Sequence, residues 1–217
     1  MKDLSRRNFL GLAAMAPSGA LLPGAAVGAA RTFAAATQAS ARARIQEQHL
    51  PNVPLVTQDG KRVRFYDDLV KGRIVTINFF YAKCEDVCPL VTANLVQVQK
   101  LLGDQVGRQV FMYSCTLKPE EDDVNAIKHH REMFGVRPGW TFLTGKSEDI
   151  ETLRKAIGFT YPEPAIDQDK TQHIGNVRYG NEPLMLWAAC PGMAHASFIA
   201  ESISWMVRPD TNRVQKS

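Results

Sequence analysis

The feature that most constrains this chain is an almost unbroken run of β-branched and aromatic residues from Ile74 to Tyr81. Such a run predicts a central strand covered on both faces, because a half-exposed strand would alternate apolar and polar residues. From about Pro89 to Leu102 the apolar residues recur at helical spacing, and Gly103 supplies a stop signal. A buried strand followed directly by a helix predicts a layered α/β domain with a partly parallel sheet.

The same alternation of strand and helix continues after this first pair. Further strands and helices are predicted in turn over residues 109–114, 121–134, 140–143 and 148–157. Two hairpins frame the alternation. Asp59-Gly60 lies between two short apolar runs and predicts an N-terminal hairpin with a two-residue turn. A second hairpin and a last helix are predicted over residues 174–178, 184–188 and about 196–206.

Composition and charge exclude several classes of protein. Hydrophobic residues make up 45% and charged residues 22% of the 217, which is typical of a folded domain and excludes a disordered, collagen-like or multi-span membrane chain. Residues 1–36 contain four basic residues and one acidic residue, so they carry most of the formal net charge of +4. The remaining chain is nearly neutral, and bulk charge therefore gives no support for a nucleic-acid partner.

The N-terminus has the pattern of a targeting segment, in which Lys2, Arg6 and Arg7 precede an uncharged stretch from Asn8 to Ala30. The run from Ser5 to Leu10 resembles a twin-arginine export signal, which implies delivery to a bacterial periplasm. Residues 34–36 offer an Ala-x-Ala cleavage site, and Gly28-Ala29-Ala30 is the competing candidate.

The alternative for this segment is an uncleaved membrane anchor, so membrane contact is expected only through the N-terminus. The predicted organisation is a signal over residues 1–36, a linker over 37–50, one folded domain over 51–208 and a polar tail over 209–217.

Cys84 and Cys88 lie where the central strand ends and the first long helix begins. Side chains four residues apart on a helical turn share a face, so this pair could form a disulfide or chelate one metal ion. A helix N-terminus also favours the thiolate over the thiol, which raises nucleophilicity and metal affinity. The residues alone therefore leave three interpretations open: a redox pair, a metal site, or two inert buried cysteines.

The segment Phe79-Phe80-Tyr81-x-x-Cys84-x-x-x-Cys88-Pro89 resembles the copper-site motif of the Sco/SenC family. The resemblance implies a thioredoxin-like fold of three layers, with a central mixed sheet and an N-terminal hairpin. In that family a distant histidine just before the late hairpin is the third copper ligand, and His173 occupies the corresponding place. The implied metal ligands are thus Cys84, Cys88 and His173, with copper held as Cu(I) or Cu(II).

The resemblance further implies a periplasmic copper metallochaperone. Its acceptor would be a subunit of a respiratory copper enzyme, of the cytochrome c oxidase type, and a periplasmic thiol reductant would be a second partner. Soft thiolates suit copper, whereas a closed zinc site would normally need a fourth protein ligand. The enzymatic alternative is a metal-free thiol–disulfide oxidoreductase with Cys84 and Cys88 as its redox pair. A structural zinc or disulfide site in a binding module is a third hypothesis.

Some residues depart from the family pattern or have no assigned role. Where the family commonly has Ser-x-Asp-Pro, this chain continues from Ser114 with Cys115 and lacks the expected carboxylate. Cys115 could be a resolving thiol, an extra ligand or a small core residue, and Cys190 is the remaining candidate for a second disulfide. His129 and His130 lie side by side in a charged helix and are predicted to occupy a solvated face.

Overall fold

The structure is a computed structural model that describes residues 41–84, 86–170 and 175–207. The strands are β1 Pro54–Thr57, β2 Arg62–Arg64, β3 Ile74–Phe80, β4 Val110–Thr116, β5 Trp140–Thr144, β6 Asn176–Asn181 and β7 Leu186–Pro191. The α-helices that follow β3 are α1 Val87–Leu102, α2 Val124–Met133, α3 Ser147–Ala156, α4 Pro164–Gln168 and α5 Ala196–Ser204. A π-helical turn covers Phe65–Val70, and short 3-10 turns cover Gly103–Gln105 and Glu182–Leu184. In the described part of the chain, no helix combines the length and apolar character needed to cross a membrane.

Within the described residues, seven strands form one mixed sheet in the order β2-β1-β5-β4-β3-β6-β7. The strands β3, β4 and β5 are parallel, and α1 and α2 provide the crossovers between them. The N-terminal hairpin adds β1 antiparallel to β5, while the late hairpin adds β6 antiparallel to β3. The predicted layered α/β fold, with a central mixed sheet and an N-terminal hairpin, is therefore confirmed.

The sheet is covered on both faces, as the run of apolar residues in β3 requires. We call the side packed by α1, α2 and α5 the front face; there Phe80 and Met112 of the sheet meet Leu95, Ile127 and Ile199 of the helices. We call the side packed by the π-helical turn and α3 the rear face, where the sheet residues include Ile77, Tyr113 and Cys115. Successive residues of a strand point to opposite faces, so β3 and β4 each contribute to both cores.

The first hairpin has a longer turn than predicted. The Thr57 N–H donates to the Lys61 carbonyl at 2.9 Å, so residues 58–60 form a three-residue turn in place of the expected two-residue one. Gly60 adopts a left-handed φ of 77°, and the Thr57 hydroxyl accepts from the N–H groups of Asp59 and Lys61. The Thr57 side chain thus stabilises a turn type that the Asp-Gly pair alone does not specify.

The second hairpin was predicted two to three residues too early, because Gly180 was assigned to the turn. In the structure Gly180 lies inside β6, where a Cβ would approach a ring carbon of Trp187 to 2.3 Å. Glycine is therefore needed here for cross-strand packing. The turn itself follows Asn181, whose side chain accepts from the Leu184 N–H at 3.2 Å.

The segment predicted as a linker has regular structure near its end. Residues 41–49 are helical, and Leu50 is buried in the rear core, one residue before the predicted start of the domain. The Leu50 N–H donates to the Gln46 carbonyl at 2.7 Å, so the helix leads directly into the first buried residue.

Candidate metal centre

The two cysteines of the motif are placed by different elements. Cys84 lies in the loop that follows β3, where its N–H donates to the Tyr81 carbonyl at 3.2 Å. Cys88 is the second residue of α1 and is almost fully buried, with 1% of its surface exposed against 7% for Cys84. The loop after β3 thus positions one sulfur and α1 positions the other. Both lie at the carboxyl edge of the parallel strands, where α/β sheets place their ligand sites.

The sulfurs of Cys84 and Cys88 form a hydrogen bond with each other. Burial opposes ionisation of Cys84, yet the backbone N–H of Cys88, the Tyr81 hydroxyl and the backbone N–H of Asp86 stabilise its thiolate. These donors outweigh burial, and the pKa of Cys84 falls below its ordinary value. Cys84 is therefore the more reactive sulfur of the pair.

The pKa of Cys88 is shifted in the opposite direction. Burial, and then the hydrogen bond it donates to Cys84, raise the pKa of the Cys88 thiol far above its ordinary value. The carboxylate of Asp122 contributes to this rise, while the Tyr81 backbone N–H opposes it. Cys84 is therefore the more readily ionised of the two thiols, an arrangement suited to one attacking and one resolving sulfur or to stepwise metal binding.

Tyr81 contacts the cysteine pair, although the sequence analysis assigned it no role. Its hydroxyl bonds to Cys84, and this hydrogen bond raises the pKa of the phenol. The ammonium of Lys118 lies 4.5 Å from the centre of the Tyr81 ring, within the range of a cation–π contact. Both interactions fix the ring beside the Cys84 sulfur.

The sequence after Ser114 lacks the carboxylate that the family commonly has there. In the structure Asp122 places a carboxylate beside the cysteine loop. This residue is 1% exposed, and its Oδ2 accepts from the Ala82 N–H at 2.9 Å and the Thr116 hydroxyl at 2.5 Å. In the sequence, Asp122 is one of four consecutive acidic residues, Glu120 to Asp123, and nothing local distinguishes it from the others. Its position just after β4, a parallel strand next to β3, was the available signal, because adjacent parallel strands end at one edge of the sheet.

Cys115 does not join the pair, so two of its three predicted roles are excluded. It lies on β4 in the rear core, whereas Cys84 and Cys88 belong to the front core. The side chain is completely buried, and burial raises its pKa to about 12. Cys115 is a core residue, not a resolving thiol or an extra ligand.

Cys190 lies in β7 opposite Val177 and faces the front core. Burial raises the pKa of its thiol. No disulfide joins it to Cys115, from which the sheet separates it, so the second disulfide considered from the sequence is absent among the described residues.

The prediction for His130 is wrong. His129 is exposed, but His130 is 2% exposed and its ring lies 4.8 Å from the ring centres of both Phe80 and Phe134. The spacing of Ile127, His130 and Phe134 gives one helical stripe, a signal that could have placed His130 on the core side of α2. The charged residues on either side of His130 led instead to the prediction of a solvated face.

His173, the third predicted ligand, lies outside the described residues. Among the residues the structure does describe, no three His, Cys, Asp or Glu side chains come together as a metal site. The described chain resumes at Gly175, which packs on α1: a Cβ there would lie 3.2 Å from a methyl group of Val87 and 3.6 Å from one of Val91. Gly175 is thus held against the helical turn that contains Cys88.

Comparison with known proteins gives the class. The model of the SCO1/SenC family matches residues 33–207, which is most of the chain. The chain therefore belongs to the SCO1/SenC family.

Individual relatives agree with this assignment at moderate identity. The chain is 32% identical to the SCO1 protein homolog of Bacillus subtilis over 92 residues, which cover 42% of this chain and 46% of that protein. A protein from Stutzerimonas stutzeri that is named for copper binding is 26% identical over 134 residues, or 61% of this chain and 64% of that one. The chain thus spans about half to two thirds of the length of these two curated relatives.

Solved structures confirm the thioredoxin-like fold of this family. The structure of Bradyrhizobium japonicum ScoI with copper bound matches with a TM-score of 0.58 at 22% identity, covering 71% of this chain and 96% of that one. A structure of BsSco, described as a member of the Sco family of cytochrome c oxidase assembly proteins, matches with a TM-score of 0.57 at 23% identity over 70% of this chain and 90% of that one. At these identities the likeness establishes the fold.

Proposed function

We propose that this protein is a copper metallochaperone that binds copper through Cys84, Cys88 and His173. The observation that carries the proposal is the contact between the two sulfurs at the edge of the sheet, where hydrogen-bond donors lower the pKa of Cys84. Thiolates are soft ligands that select Cu(I), and an imidazole extends the set toward Cu(II). Membership of the SCO1/SenC family supports the same chemistry.

The position of Gly175 supports His173 as the third ligand. Gly175 contacts Val87 and Val91, which lie on either side of Cys88 in α1. His173 precedes Gly175 by two residues in the sequence, so the chain that packs beside the Cys88 turn follows directly on the proposed ligand. A backbone hydrogen bond from the Gly192 N–H to the Gly175 carbonyl, 2.7 Å long, holds Gly175 in this position.

The proposed role is delivery of copper to a respiratory copper centre of the cytochrome c oxidase type, in the periplasm. The twin-arginine pattern at residues 5–10 supports export, with retention as a membrane anchor as the alternative. Transfer would proceed by exchange of sulfur ligands with thiols of the acceptor subunit, and Cys84, the more exposed and more acidic sulfur, is the one to exchange first. A thiol reductant in the same compartment would keep the pair reduced.

A thiol–disulfide oxidoreductase is the second candidate, and the unequal acidity of Cys84 and Cys88 favours it specifically. Here the Cys84 thiolate attacks a partner disulfide and releases one partner thiol. The Cys88 sulfur then attacks the mixed disulfide, which leaves a Cys84–Cys88 disulfide and the second partner thiol. This route has no need of His173, so that residue separates the two functions.

Copper titration of the reduced protein tests the proposal. We expect one copper per chain, with a thiolate-to-Cu(II) absorption band and an electron paramagnetic resonance signal of a sulfur-ligated ion. Cys84→Ser should abolish binding, and His173→Ala should weaken Cu(II) binding by at least about tenfold, in line with loss of one of three ligands. The exposed His49 provides a control, since His49→Ala should change neither signal.

Two results would reject the metallochaperone. One is the absence of stoichiometric copper binding by the reduced protein. The other is unchanged copper affinity in His173→Ala together with loss of dithiol turnover in Cys84→Ser, which would assign the pair to thiol exchange.

A further inference from the structure

The peptide unit of Ala82, two residues before Cys84, lies between two buried titratable side chains. On one side, its N–H donates to Oδ2 of Asp122 at 2.9 Å. On the other, its carbonyl interacts with the imidazole of His130. Asp122 and His130 both come from the segment that leads into and forms α2, and they are 1% and 2% exposed.

His130 also contacts the element that carries Cys88. Its Nε2 lies 3.4 Å from the hydroxyl of Thr92, which is 1% exposed and follows Cys88 by one turn of α1. The ring is enclosed by Phe80, Phe134 and Phe142, with ring centres 4.8, 4.8 and 5.8 Å away. One buried imidazole therefore lies between the loop of Cys84 and the helix of Cys88.

Packing alone does not explain a histidine at this position. Burial lowers the pKa of His130 to about 4, so the ring is neutral at neutral pH, and the approach of the ring to the Ala82 carbonyl does not give Nδ1 a hydrogen bond of regular geometry. A buried polar atom without a well-formed hydrogen bond destabilises a fold, and a phenylalanine or leucine would avoid this cost. Such a cost is typical of residues retained for a site and not for stability.

We propose that His130 is a positioning residue for the cysteine pair, which with Asp122 holds the Ala82 peptide and Thr92 so that the two sulfurs remain in contact. The inference deepens the proposed function, because it concerns the same pair. It applies whether the pair binds copper or exchanges disulfides, since both need the two sulfurs side by side.

The physical consequence concerns disulfide formation in the metal-free protein. Two thiols and oxidised glutathione give the Cys84–Cys88 disulfide and two molecules of reduced glutathione. The equilibrium constant of this exchange reports the effective concentration of one thiol at the other. Loosening either the loop or the helix lowers that concentration, so the disulfide becomes easier to reduce.

The test measures this equilibrium constant in the metal-free full chain for three variants. His130→Phe fills the aromatic site but lacks both nitrogens, and we expect the constant to fall about tenfold, equivalent to about 30 mV for a two-electron couple. His130→Asn retains an amide donor and should recover to within about threefold of the natural protein. Phe134→Leu perturbs the same aromatic cluster without a polar link to either cysteine element, so it should lower the melting temperature and leave the constant unchanged.

Two outcomes would overturn the proposal: an unchanged constant in His130→Phe, or equal shifts in His130→Phe and Phe134→Leu. Should His130→Phe not fold, His130→Asn and Phe134→Leu suffice, because a larger shift in Phe134→Leu than in His130→Asn also contradicts the positioning role. Copper titration of the same variants keeps the two proposals distinct. If the natural protein does not bind copper, the metallochaperone is rejected. The comparison of glutathione equilibrium constants among the variants still tests the positioning role of His130.

Discussion

The front and rear faces of the sheet both bury cysteine side chains, but they have opposite effects on the acidity of Cys84 and Cys115. On the front face, Cys84 is surrounded by N–H and O–H donors that stabilise its thiolate. On the rear face, Cys115 lies one strand away, opposite Phe79 in the β3–β4 ladder, and burial raises its pKa. The comparison teaches that burial by itself makes a thiol inert, and that oriented donors make it reactive.

The polar groups of the two faces are also used differently. On the front face Asp122 and His130 interact with the peptide before Cys84. On the side of α3, the buried Arg154 instead makes two-pronged contacts of 2.7 Å to Asp167 and of 2.7 and 2.9 Å to Glu151. Polar groups near the site thus position reactive atoms, while those near α3 satisfy one another.

The largest expected effect concerns the difference in reactivity between Cys84 on the front face and Cys115 on the rear face. With iodoacetamide at pH 7, Cys84 of the native reduced protein should be alkylated at least about a thousandfold faster than Cys115. The reason is that Cys115 has a pKa of about 12 and no exposed surface, so it reacts only through opening of the core. Mass spectrometry of the peptides over time measures both rates. In denaturant the two should converge, and rates within tenfold of each other in the native state would remove the distinction between the faces.

The next largest effect concerns the ion pairs of α3. Arg154→Ala should lower the free energy of unfolding by about 3–5 kcal/mol, because it removes the buried guanidinium that pairs with both Asp167 and Glu151. The exposed Lys155, which also pairs with Glu151, provides the control, and Lys155→Ala should cost less than about 1 kcal/mol. Urea unfolding at pH 7 measures both, while the copper and thiol chemistry should be unchanged.

The same network predicts acid sensitivity. The hydrogen bond from Arg154 lowers the pKa of Glu151 to about 2 and depresses that of Asp167. Carboxyl groups with lowered pKa values stabilise the fold above their unfolded pKa, and this contribution is lost as pH falls from about 4.5 toward 2. The stability gap between the natural protein and Arg154→Ala should therefore narrow over that range, and a gap independent of pH would contradict the assignment.

A smaller effect separates stability from chemistry at Cys115. Cys115→Ser places a hydroxyl in the rear core and should lower the free energy of unfolding by about 1–3 kcal/mol, more than Cys115→Ala does. Neither variant should alter the glutathione equilibrium of Cys84 and Cys88. A shift in that equilibrium would mean that Cys115 takes part in the exchange and that the two faces are coupled.

The smallest effect concerns Tyr81. Tyr81→Phe removes one donor to the Cys84 sulfur, so the pKa of Cys84 should rise and alkylation at pH 7 should slow by about three- to tenfold. The pH–rate profile of alkylation should move to higher pH. Tyr179→Phe is the control, because Tyr179 lies in the same front core but outside the cysteine loop. Equal profiles for Tyr81→Phe and the natural protein would show that the hydroxyl does not set the reactivity of Cys84.

Local patterns in the sequence were sufficient for most strands, for the longer helices after β3 and for their order. The apolar run over Ile74–Tyr81 indicated a buried strand, and helical spacing indicated α1, because each pattern follows from the geometry of a single element. The position of Cys84 and Cys88 at the junction followed from the same order. The late hairpin was misplaced because Gly180 serves cross-strand packing with Trp187, which no local pattern reports.

What only the tertiary structure decided is which side chains meet across the sheet. The sequence shows Cys115, Asp122 and His130 as isolated residues, and their roles depend on which face of the sheet each one occupies. The alternation of β4 places Cys115 on the rear face, whereas Asp122 and His130 reach the front loop through the packing of α2. The sequence by itself determined the family motif and the reactive pair, since both are contiguous. The environment that makes one cysteine reactive and another inert is formed by residues distant in the chain, and only folding brings them together.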